Sequence, residues 1–207
     1  MARPVQAALL CLVLKLSLAE AGFEEAVEYI YDNSQAIRLL FLEPKNFYVV
    51  GGTFEEDPLL KKDSGLPFKC GEVKTGKISN EMFSMERRIY TERLTGKWLQ
   101  TMYDMTPGTS EGYNFSNYME ASRHQGNTKI YSGTIYLLLS DSDSCALFYH
   151  KETDDCELWE KKRPEKDGLP TSFCSRYIRA CNNKTVQYYH KYSECHPSNS
   201  ILGVLVG

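Results

Sequence analysis

Between Ser144 and Lys161 the chain reads S-C-A-L-F-Y-H-K-E-T-D-D-C-E-L-W-E-K. Two apolar runs, 145–149 and 156–159, flank a polar turn at 150–155. That pattern predicts a β-hairpin with a longer loop. Successive strand side chains point to opposite faces, so alternation fixes what each residue meets. If Cys156 faces out, Leu158 faces out with it, and Glu157 and Trp159 face in. A carboxylate and an indole then share an interior surface, and a buried anion needs a partner.

The six cysteines downstream of residue 21 extend this argument. Arg3 gives a positive n-region, residues 7–18 an apolar stretch broken only by Lys15 and Ser17, and Ala19-Glu20-Ala21 a small-x-small cleavage site. Residues 1–21 are therefore expected to be a secretory signal peptide, too short to span a membrane, with 22–207 as a single domain. Cys11 leaves with the signal. Cys70, Cys145, Cys156, Cys174, Cys181 and Cys195 remain, an even number that predicts three disulfides in an oxidising compartment. Six cysteines allow 15 connectivities.

Ahead of the hairpin, residues 24–40 have a helical period, with acids towards the N-terminal half and Pro44 as the stop. Extended stretches follow at 47–54, 68–78, 82–94, 97–105, 113–121 and 128–140, separated by turn residues about every ten positions. Gly51-Gly52 inside the first predicts a bend or bulge. With the hairpin these make eight strands, the spacing of an antiparallel sandwich or barrel. After it, Thr171 or Ser172 can cap a helix reaching about Asn182, followed by a short strand at 186–192. Cys174 and Cys181 lie two turns apart and share one helix face. Cys145 and Cys156 can share one strand face. The simplest pairing fastens one to the other, Cys145–Cys174 and Cys156–Cys181, and leaves Cys70–Cys195. The apolar tail at 201–206 is too short for a span or a lipid-anchor signal.

Function classes narrow by composition and motif. The net charge of −3 gives no reason to expect nucleic acid or an anionic membrane as partner. No cysteine pair has zinc-knuckle spacing, and no nucleophile elbow, His-Glu-x-x-His or phosphate-binding glycine loop is present. Neither an enzyme nor a cofactor is expected. The sequons at Asn114 and Asn183 are candidate glycosylation sites.

Cys-Glu-Leu-Trp at 156–159, Ser140-Asp141 before Cys145, Asp57-Pro58, Phe68-Lys69-Cys70, Cys174 and a last cysteine near the end resemble the tick salivary lipocalins of the histamine-binding type. The resemblance implies an eight-stranded lipocalin barrel with an N-terminal and a C-terminal helix packed outside. It also implies the same cysteine pairing and a monomer secreted in saliva that sequesters a small host mediator. It places ligand contacts on Glu157, Trp159, Asp57, Phe54 and Phe115. Leu42 and Leu60 stand where a second amine site needs other side chains. A cation taken from water calls for countercharge and π-faces, which carboxylates, Trp and Phe supply.

Plainer readings stand beside these. Trp159 can plug the barrel while Glu157 pairs with Arg87, since Phe83, Met85, Arg87 and Ile89 share a phase. Asp57 can be a turn residue before proline. His150 shares the phase of Ala146 and Phe148, yet at the hairpin mouth it reads as a solvated loop residue. Three functions compete. The first is sequestration of a biogenic amine, histamine or serotonin. The second is binding of a leukotriene, fatty acid or sterol, favoured by an inward arginine such as Arg87. The third is capture of a host complement component or immune-cell receptor on the outer surface.

Overall fold

The structure, a computed structural model, describes residues 36–60, 64–94, 98–164, 168–189, 195 and the backbone of 201–204. The expected signal peptide and residues 24–35 of the expected first helix lie outside the described residues. Of that helix, the described part is a 3-10 turn, Ile37–Leu40, which buries Ile37 and Leu40.

Eight strands form the body: β1 (Lys45–Gly52), β2 (Cys70–Lys77), β3 (Phe83–Tyr90), β4 (Trp98–Gly108), β5 (Tyr118–Gln125), β6 (Thr128–Ser140), β7 (Cys145–His150) and β8 (Asp155–Glu160). They run in the order β4-β3-β2-β1-β8-β7-β6-β5, all neighbours antiparallel, and β5 pairs back onto β4. That last pairing closes the sheet into the eight-stranded antiparallel barrel that the strand spacing predicts, and closure removes the exposed edges of an open sheet. The expected bulge lies in β1, where the register against β8 shifts between Val49 and Gly51.

Alternation is cleanest in β3. Phe83, Met85, Arg87 and Ile89 are buried, and the residues between them are only partly so. The inward side chains of β1, β3, β4, β6, β7 and β8 meet in one core that includes Phe47, Phe83, Tyr103, Leu137, Phe148 and Trp159. β7 and β8 differ, being buried along their whole length. Their outer faces are covered by the segment after the hairpin, a 3-10 turn at Cys174–Arg176 followed by α1 (Ile178–Cys181). Disulfides Cys145–Cys174 and Cys156–Cys181 bind this segment to the two strands, and Cys70–Cys195 joins the start of β2 to the late chain.

Three sequence expectations change, and the apolar tail gains a place in the sheet. The expected continuous helix from Thr171 or Ser172 to Asn182 is two short pieces. Ser175 explains part of the break, because its hydroxyl donates to the Pro170 and Ser172 carbonyls and competes with helical bonding. The fifth strand begins at Tyr118 and not at 113. Asn117 anchors the preceding loop, its Oδ1 accepting from the Ser110 N–H at 2.8 Å and its own N–H donating to the Gly108 carbonyl at 3.1 Å. The strand expected at 186–192 is described as β9 (Gln187–Tyr188), paired with β1; residues 190–192 lie outside the described residues. The apolar tail supplies β10 (Ile201–Val204), parallel to β4 at Trp98–Gln100. β5 pairs with β4 only from Asp104 onward, so β10 takes the stretch of β4 edge that β5 leaves.

Candidate ligand-binding site

The inward faces of β3, β7 and β8 and the loop after β1 bring four ionisable side chains together in the interior. Arg87 donates from Nε to Asp57 Oδ2 at 2.5 Å and from Nη1 to Glu157 Oε1 at 2.6 Å. Trp159 Nε1 donates to the same Glu157 oxygen at 2.6 Å. His150 Nε2 lies 2.6 Å from Glu157 Oε2. A carboxylate accepts only, so that ring nitrogen carries the proton. Arg87 and Glu157 have no exposed surface, and His150 and Asp57 are buried.

Local sequence accounts for each position. Parity along β8 turns Glu157 and Trp159 inward once Cys156 is turned outward. Parity along β3 places Arg87 in phase with Phe83, Met85 and Ile89. Asp57 keeps its turn role as well: Oδ1 accepts from the Leu59 N–H at 2.9 Å, while Oδ2 holds Arg87. The turn reading and the inward reading are therefore both satisfied by one carboxylate with two oxygens.

An aromatic wall closes over the cluster. Phe54, Phe68 and Tyr189 have ring centroids 4.8–5.1 Å apart. Phe54 meets the His150 ring at 6.4 Å, and the Arg87 guanidinium lies 5.8 Å from the Phe68 centroid. Two glycines make room for this wall. A Cβ on Gly52 would fall 2.5 Å from the Phe54 ring, and one on Gly71 would fall 2.5 Å from the Phe68 ring. Tyr189 is fixed by its hydroxyl, which donates to the Phe54 carbonyl. On the other side Trp159 packs on Phe148 and Phe47, at 4.3 and 5.7 Å between centroids.

Charge does not balance by itself. Asp57 and Glu157 bring two negative charges and Arg87 one positive. With His150 neutral the cluster holds one negative charge in excess; with His150 protonated it is neutral. Burial by itself pushes the Glu157 carboxyl up, but the Arg87 charge and the His150 hydrogen bond outweigh it and hold the pKa down at about 2. Burial first, then the two carboxylates, act on Arg87; the carboxylates win and its pKa is raised further above the ordinary value.

Of the residues singled out in the sequence, the structure brings Phe54, Asp57, Glu157 and Trp159 to this cluster. Phe115 is not among them. It is 55% exposed on the loop before β5 and lines a separate surface cleft of about 430 Å³ with Leu39, Leu42 and Asn114. The late start of β5 is the reason: Phe115 never enters a strand phase. Leu42 is exposed and Leu60 buried, and neither brings a carboxylate. Asn114 and Asn183 are both exposed. His150, read from sequence as a solvated loop residue, is instead 2% exposed, because β7 continues through it and pairs His150 with Asp155. Its alternation phase with Ala146 and Phe148 is the signal that reveals it. Tyr189 and Phe68 carry no such signal, since only long-range packing places them. Among the described residues, no group of three or more His, Cys, Asp or Glu is placed to hold a metal ion.

Solved structures similar to the chain include an AM182 serotonin complex, with 17% identity, TM-score 0.48, and coverage of 74% of this chain and 86% of that one. Another is the siderocalin Ex-FABP, described as having dual ligand specificities, with 13% identity, TM-score 0.45, and coverage of 77% and 97%. A third is apocrustacyanin C2, with 10% identity, TM-score 0.49, and coverage of 84% and 87%. No curated protein matches the chain. The family model described as tick histamine binding protein matches residues 27–197. The chain belongs to the tick histamine-binding protein family, whose members are small-ligand-binding lipocalins.

Proposed function

We propose that this protein is a secreted, glycosylated salivary lipocalin that sequesters a biogenic amine of the host, histamine or serotonin, and so suppresses inflammation. One observation carries the reading. Two carboxylates, Asp57 and Glu157, are buried in the barrel with a single guanidinium between them. With His150 neutral, their excess negative charge, enclosed by Trp159, Phe54 and Phe68, suits a small cation that exchanges water for countercharge and aromatic faces. Glu157 has one carboxylate lone-pair position beyond its three hydrogen bonds, and Asp57 has two beyond its own pair. Those positions are the ones an ammonium takes. Asp57, Glu157, Trp159 and Phe54 are the proposed contacts; Phe115, on its surface cleft, is a contact only if its loop folds inward in the complex.

A second reading keeps the barrel and changes the cargo to a lipid mediator with a carboxylate. It is favoured by the inward Arg87, whose Nη2 has no hydrogen-bond partner among the described residues. Calorimetric titration of the wild-type protein with histamine, serotonin and a leukotriene separates the two. Binding of either amine without the leukotriene supports the amine reading; binding of the leukotriene alone overturns it. Secretion from a eukaryotic host, with glycopeptide mass spectrometry at Asn114 and Asn183, tests export and glycan occupancy.

A further inference from the structure

Eight large apolar side chains are exposed among the described residues, and three of them, Leu39, Leu42 and Phe115, line one surface cleft of about 430 Å³. Asn114, the acceptor of the first sequon, lines the same cleft. Strand order sets it apart from the charged cluster. In an up-and-down barrel successive loops alternate between the two ends. The β4–β5 loop, which carries Asn114 and Phe115, therefore lies at the end opposite the β1–β2 loop, which carries Asp57, and the β7–β8 turn that follows His150.

The walls of the cleft are fixed to one another. The Ile37 N–H donates to the Ser116 carbonyl at 2.9 Å and so ties the sequon to the 3-10 turn that carries Leu39. Asn117, which is buried, holds the loop through Ser110. Arg38 is the one charged residue among those described on the lining. Its guanidinium lies 5.5 Å from the Phe83 centroid and donates from Nη2 to the Asn80 carbonyl, so it is already engaged and offers a free anion little. Clustered apolar surface left in water is unfavourable and marks a place that something covers. The group that suits this cleft is neutral, apolar on one face and polar at its rim. A pyranose ring of N-acetylglucosamine has that character, with axial C–H bonds forming its faces and hydroxyls around its edge. Bonded to Asn114, it reaches the cleft without an affinity of its own, because the covalent link makes the contact intramolecular.

We propose that Asn114 carries an N-linked glycan whose innermost N-acetylglucosamine packs on Phe115 and covers the cleft between that ring, Leu39 and Leu42. The proposal rests on the glycosylation included in the proposed function and deepens it. Transfer joins Asn114 Nδ2 to the anomeric carbon of an oligosaccharide, breaks the bond from that carbon to a polyprenyl diphosphate donor, and passes the amide proton to the departing diphosphate.

The test uses the full chain secreted from a eukaryotic host. Glycopeptide mass spectrometry is expected to find Asn114 occupied. An endoglycosidase then trims every glycan to its first N-acetylglucosamine, and thermal melts compare this protein with Asn114→Gln treated in the same way. The protein bearing the sugar is expected to melt about 2–4 °C higher, the shift that one aromatic contact gives a domain of this size. Phe115→Ala keeps the sequon and removes the ring, and in that background the difference is expected to vanish. If Phe115→Ala leaves Asn114 without its glycan, Leu42→Ser, outside the sequon, replaces it in the same comparison and is expected to shrink the difference. An unoccupied Asn114 in the wild type overturns both this proposal and the glycan assigned to that position above. Occupancy without a shift, the result expected if residues 24–35 fill the cleft instead, overturns the packing and leaves the glycosylation standing. A shift that persists unchanged in the cleft variant does the same.

Discussion

The two faces of the β7–β8 hairpin are equally buried but hold the chain together in opposite ways. The outer face is mainly apolar and covalent: Leu147 and Leu158 are buried beside disulfides to Cys174 and Cys181, with Glu160 the one buried acid in their phase on β8. Its stability comes from removing hydrocarbon from water and restricting the unfolded chain. The inner face carries His150, Glu157 and Trp159, and there Glu157 accepts from His150 Nε2, Trp159 Nε1 and Arg87 Nη1. Buried ion pairs add little net stability, because desolvation offsets much of their attraction. A chain selected for stability alone would do as well with hydrocarbon inside. Under the proposed function the inner face is the one kept for a ligand, and the outer face is the clamp that holds it in register.

Variants that damage each face in its own way sharpen the contrast. The largest effect is expected from Arg87→Met, which strands Asp57 and Glu157 as unpaired buried anions. Removing one partner of a buried pair costs about 3–5 kcal/mol, and here two charges are left, so urea denaturation should show a loss at the upper end. Next is the double change Cys145→Ser with Cys174→Ser, which opens a bridge spanning 29 residues. A loop of that length contributes about 3.6 kcal/mol through the unfolded chain, and the same titration should reveal that loss. The folded fraction of this variant should bind ligand normally, which Arg87→Met should not.

A smaller effect is expected from acid. The Glu157 pKa falls from an ordinary 4.5 to about 2 in the folded protein. A lowered folded pKa means that the contribution is fully present above the unfolded value and is lost as pH drops through the folded one. The stability difference between wild type and Glu157→Gln should be flat above about pH 5 and change steadily between there and pH 2. Chemical denaturation at stepped pH reads this directly, and a difference that does not vary with pH would remove Glu157 as an ionised buried group. The smallest effect belongs to the surface. Lys161→Ala breaks an exposed pair with Asp143, 2.9 Å apart, and should change the melting free energy by about 0–1 kcal/mol with no effect on binding.

The sequence made the barrel legible because strand phase and turn residues are local properties. Glu157, Trp159 and Arg87 could be placed inside from their neighbours two positions away. Other features depended on partners distant in sequence. His150 was ambiguous because its phase pointed in while its place beside a polar loop pointed out; the length of β7 decided it. Phe115 missed the cluster because Asn117, bonded across to Ser110, delays the start of β5. The break in the late helix follows in part from Ser175 bonding backwards. Pairing of β10 with β4 depends on how far β5 runs, which no local pattern records. The wall of Phe54, Phe68 and Tyr189 needs three segments to meet over Gly52 and Gly71, and only the first of those aromatics was named beforehand as a ligand contact.

The central claim is that the buried acid of β8 is the counter-ion of a bound amine. Its most direct test is isothermal titration of histamine and serotonin into wild type and Glu157→Gln, with both proteins first checked for a cooperative melt. The account predicts that the wild type binds at least one of the two amines and that the folded variant binds it about tenfold more weakly or worse, as loss of a charge-assisted partner requires. Equal affinity in the two proteins, or no amine binding by the wild type, would contradict it.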